Sequence, residues 1–147
     1  MSRPAVIAFY SYATGVSIEL PVGFEFNGED EVCATYVDRA DDGPVTAATP
    51  VVRIRVVGEI EDGGGRDVVR DLADGFAAAD HQTLSRRDRE IDECHAVTVV
   101  SEQAGRVLHQ TAVDADGRLL SIIAAAPSQD LLPSFDAAID SIRFIAL

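Results

Sequence analysis

The chain has 147 residues, of which 47% are hydrophobic, and its 25 acidic residues against 12 basic ones give a net charge of −13. This length allows one globular domain, residues 1–147, to bury a core without disulfides or metal. Every basic residue is an arginine, so there is no lysine for a Schiff base or a phosphate-binding P-loop. The negative charge also argues against nucleic acid and anionic membrane surfaces as partners.

Composition and the first residues indicate where the protein works. The lack of lysine, together with many Ala, Val, Asp and Gly residues, resembles the proteins of GC-rich bacteria such as actinobacteria. The apolar run Ala5–Phe9 is shorter than a signal peptide needs, and no run approaches the roughly 20 residues of a membrane-spanning helix. We therefore expect a bacterial, cytoplasmic protein without membrane insertion. Cys33 and Cys94 could form a disulfide, but two buried thiols in a reducing compartment are the favoured interpretation.

Alternating apolar and polar residues predict several strands in the first half of the chain. Asn27 and Gly28 predict a tight turn, and Arg39–Pro50 has the Asp, Gly and Pro content of a loop. The predicted strands are Val6–Ser11, Ser17–Leu20, Val22–Phe26, Glu31–Asp38 and Val51–Ile60.

The last of these strands has the most regular alternation, which predicts one buried and one exposed face. The apolar face carries Val52, Ile54, Val56 and Ile60, and the other face carries Arg53, Arg55 and Glu59. A helix is predicted next, with Asp67 as its N-cap and an apolar stripe at helical spacing. The stripe consists of Val68, Val69, Leu72, Phe76 and Ala79.

The second half of the chain predicts a polar strand, a three-stranded meander and a closing helix. His81–Glu90 is predicted to be an edge strand, because charges on an edge discourage pairing with other chains. Three strands follow between Ala96 and Ala126, joined by tight turns at Ala104-Gly105 and Asp116-Gly117. Asp130 is the predicted N-cap of the second helix, with Pro133 in its first turn. Its stripe is Leu132, Phe135, Ile139 and Ile142, and a short strand at Arg143–Leu147 ends the chain.

Four motifs occur in an order that is informative about the family. They are Gly-x-Ser-Ile-x-Leu-Pro-x-Gly-Phe at Gly15–Phe24, Ile-Asp-x-x-x-Ala at Ile91–Ala96, Asp-Gly-Arg at Asp116–Arg118 and Ile-x-Ser-Ile-Arg-Phe at Ile139–Phe144. This pattern resembles PsbP-like domains, the fold of PsbP, the Ran-binding Mog protein and bacterial DcrB-like and LpqN-like proteins. Glu93 departs from the bacterial pattern, which has glycine at that position.

Both the succession of elements and the resemblance lead to one fold class. Strands in runs with two inserted helices predict an α+β domain with a mostly antiparallel sheet. The resemblance implies an α/β/α sandwich around that central sheet, with two main helices. It also implies a protein that binds other proteins rather than catalyses, and because the family has no common catalytic motif, it implies no catalytic residue.

Few residues are candidates for chemistry. Cys94 and His95 are adjacent, and an imidazole can activate a thiol, but neighbouring residues on a strand point to opposite faces. The histidines His81, His95 and His109 lack the HxH or HxxxH spacing of zinc sites. We therefore predict no catalytic residue, no metal site and no cofactor, and an enzyme using Cys94 or His95 is the least favoured function.

Arginines form the best candidate for a binding site. Arg86, Arg87 and Arg89 make the one basic cluster in an acidic protein, on the predicted edge strand, and Arg53 and Arg55 are predicted to lie nearby. Such a cluster could dock an acidic partner, with the free edge open to strand addition. The competing interpretation is that these charges only protect an exposed edge.

An apolar pocket between a helix and the sheet is the second candidate site. Its predicted lining is Phe24, Phe26, Phe76 and Phe135, although the same side chains could be ordinary core. The favoured function is a non-catalytic adaptor or chaperone-like module that holds a protein or peptide through a sheet face or edge. The alternative is a carrier of a small apolar ligand, and the sequence leaves a homodimer open.

Overall fold

The computed structural model describes residues 5–39, 46, 49–60, 65–78 and 82–145. Within these residues the chain forms ten strands, two α-helices and one short 3₁₀ helix, which confirms the α+β class. In chain order the elements are β1 Val6–Ser11, β2 Val16–Pro21, β3 Phe24–Glu29, β4 Cys33–Asp38, β5 Val51–Glu59, α1 Gly65–Ala78, β6 Gln82–Ile91, β7 Cys94–Gln103, β8 Arg106–Asp114, β9 Arg118–Ala126, the 3₁₀ helix Gln129–Leu131, α2 Leu132–Asp140 and β10 Arg143–Phe144.

Seven strands form an antiparallel sheet in the order β3-β4-β5-β9-β8-β7-β6. The predicted meander is confirmed as β7, β8 and β9. Both of its turns have the positive φ values that such turns require, 51° and 78° at Ala104 and Gly105, and 56° and 96° at Asp116 and Gly117. The polar strand β6 lies at one edge of this sheet, as predicted.

A second, three-stranded sheet has the order β1-β2-β10. The sequence predicts these three strands but not that they leave the main sheet. This sheet brings the two ends of the described chain together, because Arg143 of β10 pairs with Ser17 of β2. Ile145 also donates its backbone N–H to the Gly15 carbonyl at 2.9 Å.

Two hydrophobic clusters lie on opposite faces of the seven-stranded sheet. On β9, Leu120 and Ile122 belong to one cluster and Leu119 to the other, because successive strand residues alternate between faces. The larger cluster packs against α2 and the three-stranded sheet, so we call this side the α2 face. The smaller cluster packs under α1 through Val69, Ala73 and Phe76, and this side is the α1 face. The layers therefore form the predicted sandwich.

One predicted face is wrong because of a bulge. The pairing of β5 with β9 shifts between Val56 and Gly58, where the chain accommodates one extra residue. Val52, Ile54 and Val56 pack on the α2 face as predicted. Ile60 instead packs with the α1 cluster, because the bulge reverses the alternation after Val56.

Other local predictions also need correction. Asn27 and Gly28 lie inside β3, and the turn comes later, where the Asp30 carboxylate accepts the backbone N–H groups of Val32 and Cys33, each at 2.9 Å. Helix α1 begins at Gly65, so Asp67 lies in its first turn rather than at the N-cap.

The closing helix also begins differently from the prediction. The side chain of Ser128, not that of Asp130, caps the preceding 3₁₀ helix, and Pro133 is in the first turn of α2 as predicted. The predicted loop Arg39–Pro50 lies largely outside the described residues, as do Ala79 and His81.

Candidate protein-interaction surfaces

The arginines of β6 divide between the two faces of the sheet. Arg86 is aligned with Val99 of the α1 cluster, and its guanidinium lies 2.7 Å from Asp74 on α1. Arg87 and Arg89 point to the α2 face, and each places a nitrogen 3.0 Å from the Asp136 carboxylate on α2. The edge strand is thereby joined to both helices.

Arg89 is the most enclosed of these arginines, with 8% of its side chain exposed. It also pairs with Asp140, one turn further along α2. Docking of an acidic partner by Arg86, Arg87 and Arg89 stays a prediction, but their guanidinium groups already have intramolecular carboxylate partners. This favours a role for the basic cluster within the fold over a role in docking a partner.

Arg53 and Arg55 do not lie near the β6 arginines, so that prediction is wrong. They are on β5, and strands β9, β8 and β7 separate β5 from β6. At about 4.8 Å per strand, the separation is about 19 Å. Both side chains are exposed, and the five predicted arginines do not form one surface.

His109 occupies a buried polar site on the α2 face that the sequence does not predict. It is fully buried on β8, with Nε2 2.8 Å from Asp136 Oδ1 and its ring edge-to-face with Phe135. Burial lowers the pKa of His109, against the opposing effect of Asp136. Burial raises the pKa of Asp136, but the hydrogen bond from His109, the charge of Arg87 and the hydrogen bond from Arg89 outweigh it, so the pKa falls. At pH 7 these directions favour a neutral imidazole and an ionised carboxylate, and the 2.8 Å contact then requires the tautomer in which Nε2 carries the proton.

The four phenylalanines do not line one pocket, so this prediction is also wrong. Phe24 and Phe135 belong to the core of the α2 face, whereas Phe76 lies beneath α1 on the other side of the sheet. Phe26 is 52% exposed. The sequence could not separate them, because it shows that each is apolar but not which face of the sheet it covers.

A groove of about 410 Å³ opens elsewhere, between α2 and strands β1 and β2 of the three-stranded sheet. Small and acidic side chains dominate its walls, and no phenylalanine is among the described residues that line it. The lining residues are Val6, Glu19, Pro21, Ser134, Ala137, Ala138, Asp140 and Ser141.

Cys94 and His95 show no sign of an activated pair. Cys94 packs against the α2-face core, and burial raises the pKa of its thiol, so the protonated form is favoured. Both cysteines are free. In the parts of the chain that the structure describes, no group of three or more His, Cys, Asp or Glu side chains could hold a metal ion.

The most exposed apolar surface surrounds β1. Of the nine large hydrophobic residues that stand exposed among the described residues, six are on this strand or close to it. They are Val6, Ile7, Tyr10, Tyr12, Val22 and Phe26, between 44% and 75% exposed, and we call them the apolar edge.

Direct contacts join parts of the apolar edge to each other and to the core. The rings of Tyr10 and Tyr12 are 4.5 Å apart, and Val22 donates its N–H to the Ala5 carbonyl at 3.1 Å. The buried ring of Tyr36 contacts both Phe9 of β1 and Phe26 of β3, at centroid distances of 4.9 and 6.0 Å. Tyr10 and Tyr12 are thus in direct contact, and Phe26 rests on the same buried tyrosine that supports β1. Sequence reasoning missed this surface, although the uncharged run in Val6–Ser11 was visible.

Comparisons with solved structures identify the fold as PsbP-like. The yeast Ran-binding protein Mog1p from Saccharomyces cerevisiae superposes with a TM-score of 0.65 at 9% identity, with 97% of each chain covered. Cyanobacterial PsbP (CyanoP) from Synechocystis sp. PCC 6803 gives a TM-score of 0.59 at 14% identity, covering 97% of this chain and 94% of CyanoP.

A third similar structure is larger. A protein from Bacteroides thetaiotaomicron VPI-5482 gives a TM-score of 0.64 at 12% identity over 95% of this chain, which spans only 48% of that protein. No protein-family model and no curated protein sequence matches the chain. Among the described residues, no helix is long and apolar enough to cross a membrane.

Proposed function

We propose that this protein is a non-catalytic binding module, an adaptor or chaperone-like domain, that holds a protein partner at the apolar edge. The observation that carries the proposal is the cluster of six exposed apolar side chains around β1, in a chain with a net charge of −13. Contiguous exposed apolar surface is a common mark of a protein-interaction site. Similarity to the Ran-binding Mog1p supports a binding role for this fold.

The choice of surface differs from the one that the sequence favours. The β6 arginines have carboxylate partners on α1 and α2, so using them for docking would require breaking contacts within the domain. The side chains of the apolar edge have no such cost, since burying them against a partner removes apolar area from water. Binding of a small apolar ligand is less favoured, because the four phenylalanines lie in separate places.

Affinity capture with matched surface variants tests the proposal. The purified protein is the bait for a lysate of the source cells, alongside the variant Tyr12→Ser/Val22→Ser and the control Val57→Ser/Leu84→Ser. Val57 and Leu84 are exposed by 48% and 39% but lie outside the apolar edge. We expect quantitative mass spectrometry to find a protein retained by the wild type and the control and lost from the first variant. Retention by all three baits would contradict the proposed surface.

A further inference from the structure

The two sheets have four edge strands, and three of these carry features that discourage pairing with another chain. Strand β6 is charged in its second half, with three arginines and two acids between Arg86 and Glu90. In β3 a register shift follows Phe26, and Glu25 and Glu29 add charge. Strand β10 has only two residues. Charge, irregular pairing and short length are the usual protections of sheet edges.

Strand β1 has none of these protections. Its sequence, VIAFYS, contains no charge and no proline, and all six residues align with β2 without a register shift, from Val6↔Pro21 to Ser11↔Val16. Val6, Ile7 and Tyr10 are about half exposed. A regular, uncharged, apolar edge strand is a template on which another strand can pair.

The hydrogen bonds around β2 show which backbone groups of β1 are free to pair. Pro21, opposite Val6, has no N–H, and the N–H of Glu19, opposite Ala8, donates instead to Ser141 Oγ at 2.9 Å. The two residues therefore form non-hydrogen-bonded pairs with β2, and antiparallel ladders alternate. It follows that Val6, Ala8 and Tyr10 direct their N–H and C=O groups toward the open edge.

The charge around β1 indicates the chemistry of the incoming strand. Glu19 stands opposite Ala8 on the neighbouring strand, and Glu29 lies at the far end, where its carboxylate accepts from Ser11 Oγ at 2.7 Å. With a net charge of −13 on the whole chain, a second copy would bring further negative charge. A basic segment is complementary to this site, and a second copy is not.

We propose that β1 accepts, as an added strand, an extended apolar segment of a partner protein that is flanked by arginine or lysine. The proposal rests on the proposed function and specifies its mode of binding. Backbone hydrogen bonds from Val6, Ala8 and Tyr10 supply the pairing, and the side chains of the apolar edge cover alternate residues of the segment. The flanking cations approach Glu19 and Glu29.

A synthetic peptide probes this inference directly. It has eight residues, alternating valine and threonine between terminal arginines, and is compared with a glutamate-ended version and one N-methylated on alternate backbone nitrogens. Binding is followed by NMR, through amide exchange of β1 and peptide titration. We expect slower exchange at Val6, Ala8 and Tyr10, and at least about tenfold weaker binding of both comparison peptides, because each loses a charge or hydrogen-bond contribution of that order.

Variants at one position separate backbone from side-chain effects. Ala8→Pro removes an outward N–H without removing a hydrogen bond to β2, whereas Ala8→Val enlarges the side chain and keeps the N–H. We expect about tenfold weaker peptide binding by Ala8→Pro alone, with urea midpoints to verify that both variants are folded. If Ala8→Pro does not fold, the N-methylated peptide tests the same hydrogen bonds on the wild-type protein.

Several results would overturn the inference. One is the absence of any protection of the β1 amides, and another is equal binding of the arginine-ended and glutamate-ended peptides. A doubled mass in sedimentation at micromolar concentration, with the same amides protected, would make a second copy the occupant instead. If the peptide fails while a captured protein still depends on Tyr12 and Val22, strand addition is wrong and the proposed function stands. If the peptide does not bind and no captured protein depends on Tyr12 and Val22, the proposed function is wrong as well.

Discussion

At the scale of single residues, the exposed fraction of an arginine side chain indicates how much its ion pairs stabilise the fold. Arg89 has 8% of its side chain exposed and pairs with both Asp136 and Asp140, whereas Arg86 is 36% exposed and pairs with Asp74. The acids that face Arg89 are themselves 40% and 68% exposed, so water reduces the strength of these pairs. Even so, removing Arg89 leaves Asp136 with fewer compensating charges beside a buried imidazole.

We expect Arg89→Ala to lower the free energy of unfolding by about 1–3 kcal/mol, as for other partly buried charged hydrogen bonds. Arg86→Ala should lower it by less than about 1 kcal/mol, because its pair is largely exposed. Urea denaturation of both variants measures the difference. Equal losses would mean that burial does not distinguish the two pairs.

His109 couples stability to pH through the same polar site. Its pKa is lowered in the folded protein by burial, and the groups that face it are Asp136 from α2 and, from β6 on the same face of the sheet, Arg87 and Arg89. In the unfolded chain the histidine pKa is about 6.5. Between the folded and unfolded values only the unfolded chain is protonated, so stability is complete above pH 6.5 and falls as the pH drops below it.

We expect the loss in this window to approach about 1.4 kcal/mol per pH unit, until the pH reaches the folded pKa of His109. The variant His109→Gln keeps a side-chain N–H for Asp136 but cannot titrate. Its free energy of unfolding should therefore change less between pH 6.5 and 5 than that of the wild type. Urea titrations at half-unit pH intervals test this, and parallel curves for the two proteins would exclude His109 as the cause.

At the scale of elements, the sequence is most informative where local chemistry decides the structure. The charges of β6 correctly predict an edge, and the two turns of the meander follow from Ala104-Gly105 and Asp116-Gly117. The position of β1 could not be predicted in this way. Its uncharged, apolar sequence is typical of an interior strand, and only the long-range pairing of β2 with β10 shows that β2 is the one strand beside β1 among the described residues. The candidate surface was therefore hidden until the topology was known.

Helix α1 provides a test at this scale. Gly75 is an exposed helical residue, and, beyond the adjoining part of its own helix, a Cβ at its position meets no atom of the described residues within 4 Å. We expect Gly75→Ala to raise the free energy of unfolding by about 0.5–1 kcal/mol, because alanine loses less backbone entropy in a helix. Thermal melting measures the change.

Gly15→Ala is the contrasting control for that helix variant. Gly15 has φ of +67°, and a Cβ there would lie 2.7 Å from Arg118 Nη2. This variant should lower the melting temperature, since alanine strains the backbone and displaces a guanidinium that donates to the Thr14 carbonyl at 3.0 Å. If Gly15→Ala raises the melting temperature, or Gly75→Ala lowers it, the room for a Cβ and the backbone conformation described for these two glycines are wrong.

At the scale of the whole molecule, two features could not be predicted from sequence patterns. Periodicity shows that Phe24, Phe76 and Phe135 are buried but not that Phe76 lies across the sheet from the others. The bulge after Val56, which sends Ile60 to the α1 face, falls at Gly58, and a glycine within a strand marks either a bulge or a close backbone approach without showing which. Both depend on which strands meet, and that is decided by burial over the full chain rather than by any short segment.

Net charge is a property of the whole molecule, and we expect it to affect how the stability depends on salt. The excess of 25 acids over 12 arginines repels itself in the compact state, whereas exposed pairs such as Arg86–Asp74 contribute less than about 1 kcal/mol each. Salt weakens both effects, and raising it from about 0.1 to 1 M shortens the Debye length from about 10 to 3 Å. Because repulsion involves the whole surface, we expect the urea midpoint at pH 7 to increase with NaCl. Near the sequence pI of about 4.4 the net charge vanishes, so the increase should vanish too. A midpoint that falls with salt at pH 7 would instead mean that the arginine pairs joining β6 to the two helices outweigh the repulsion.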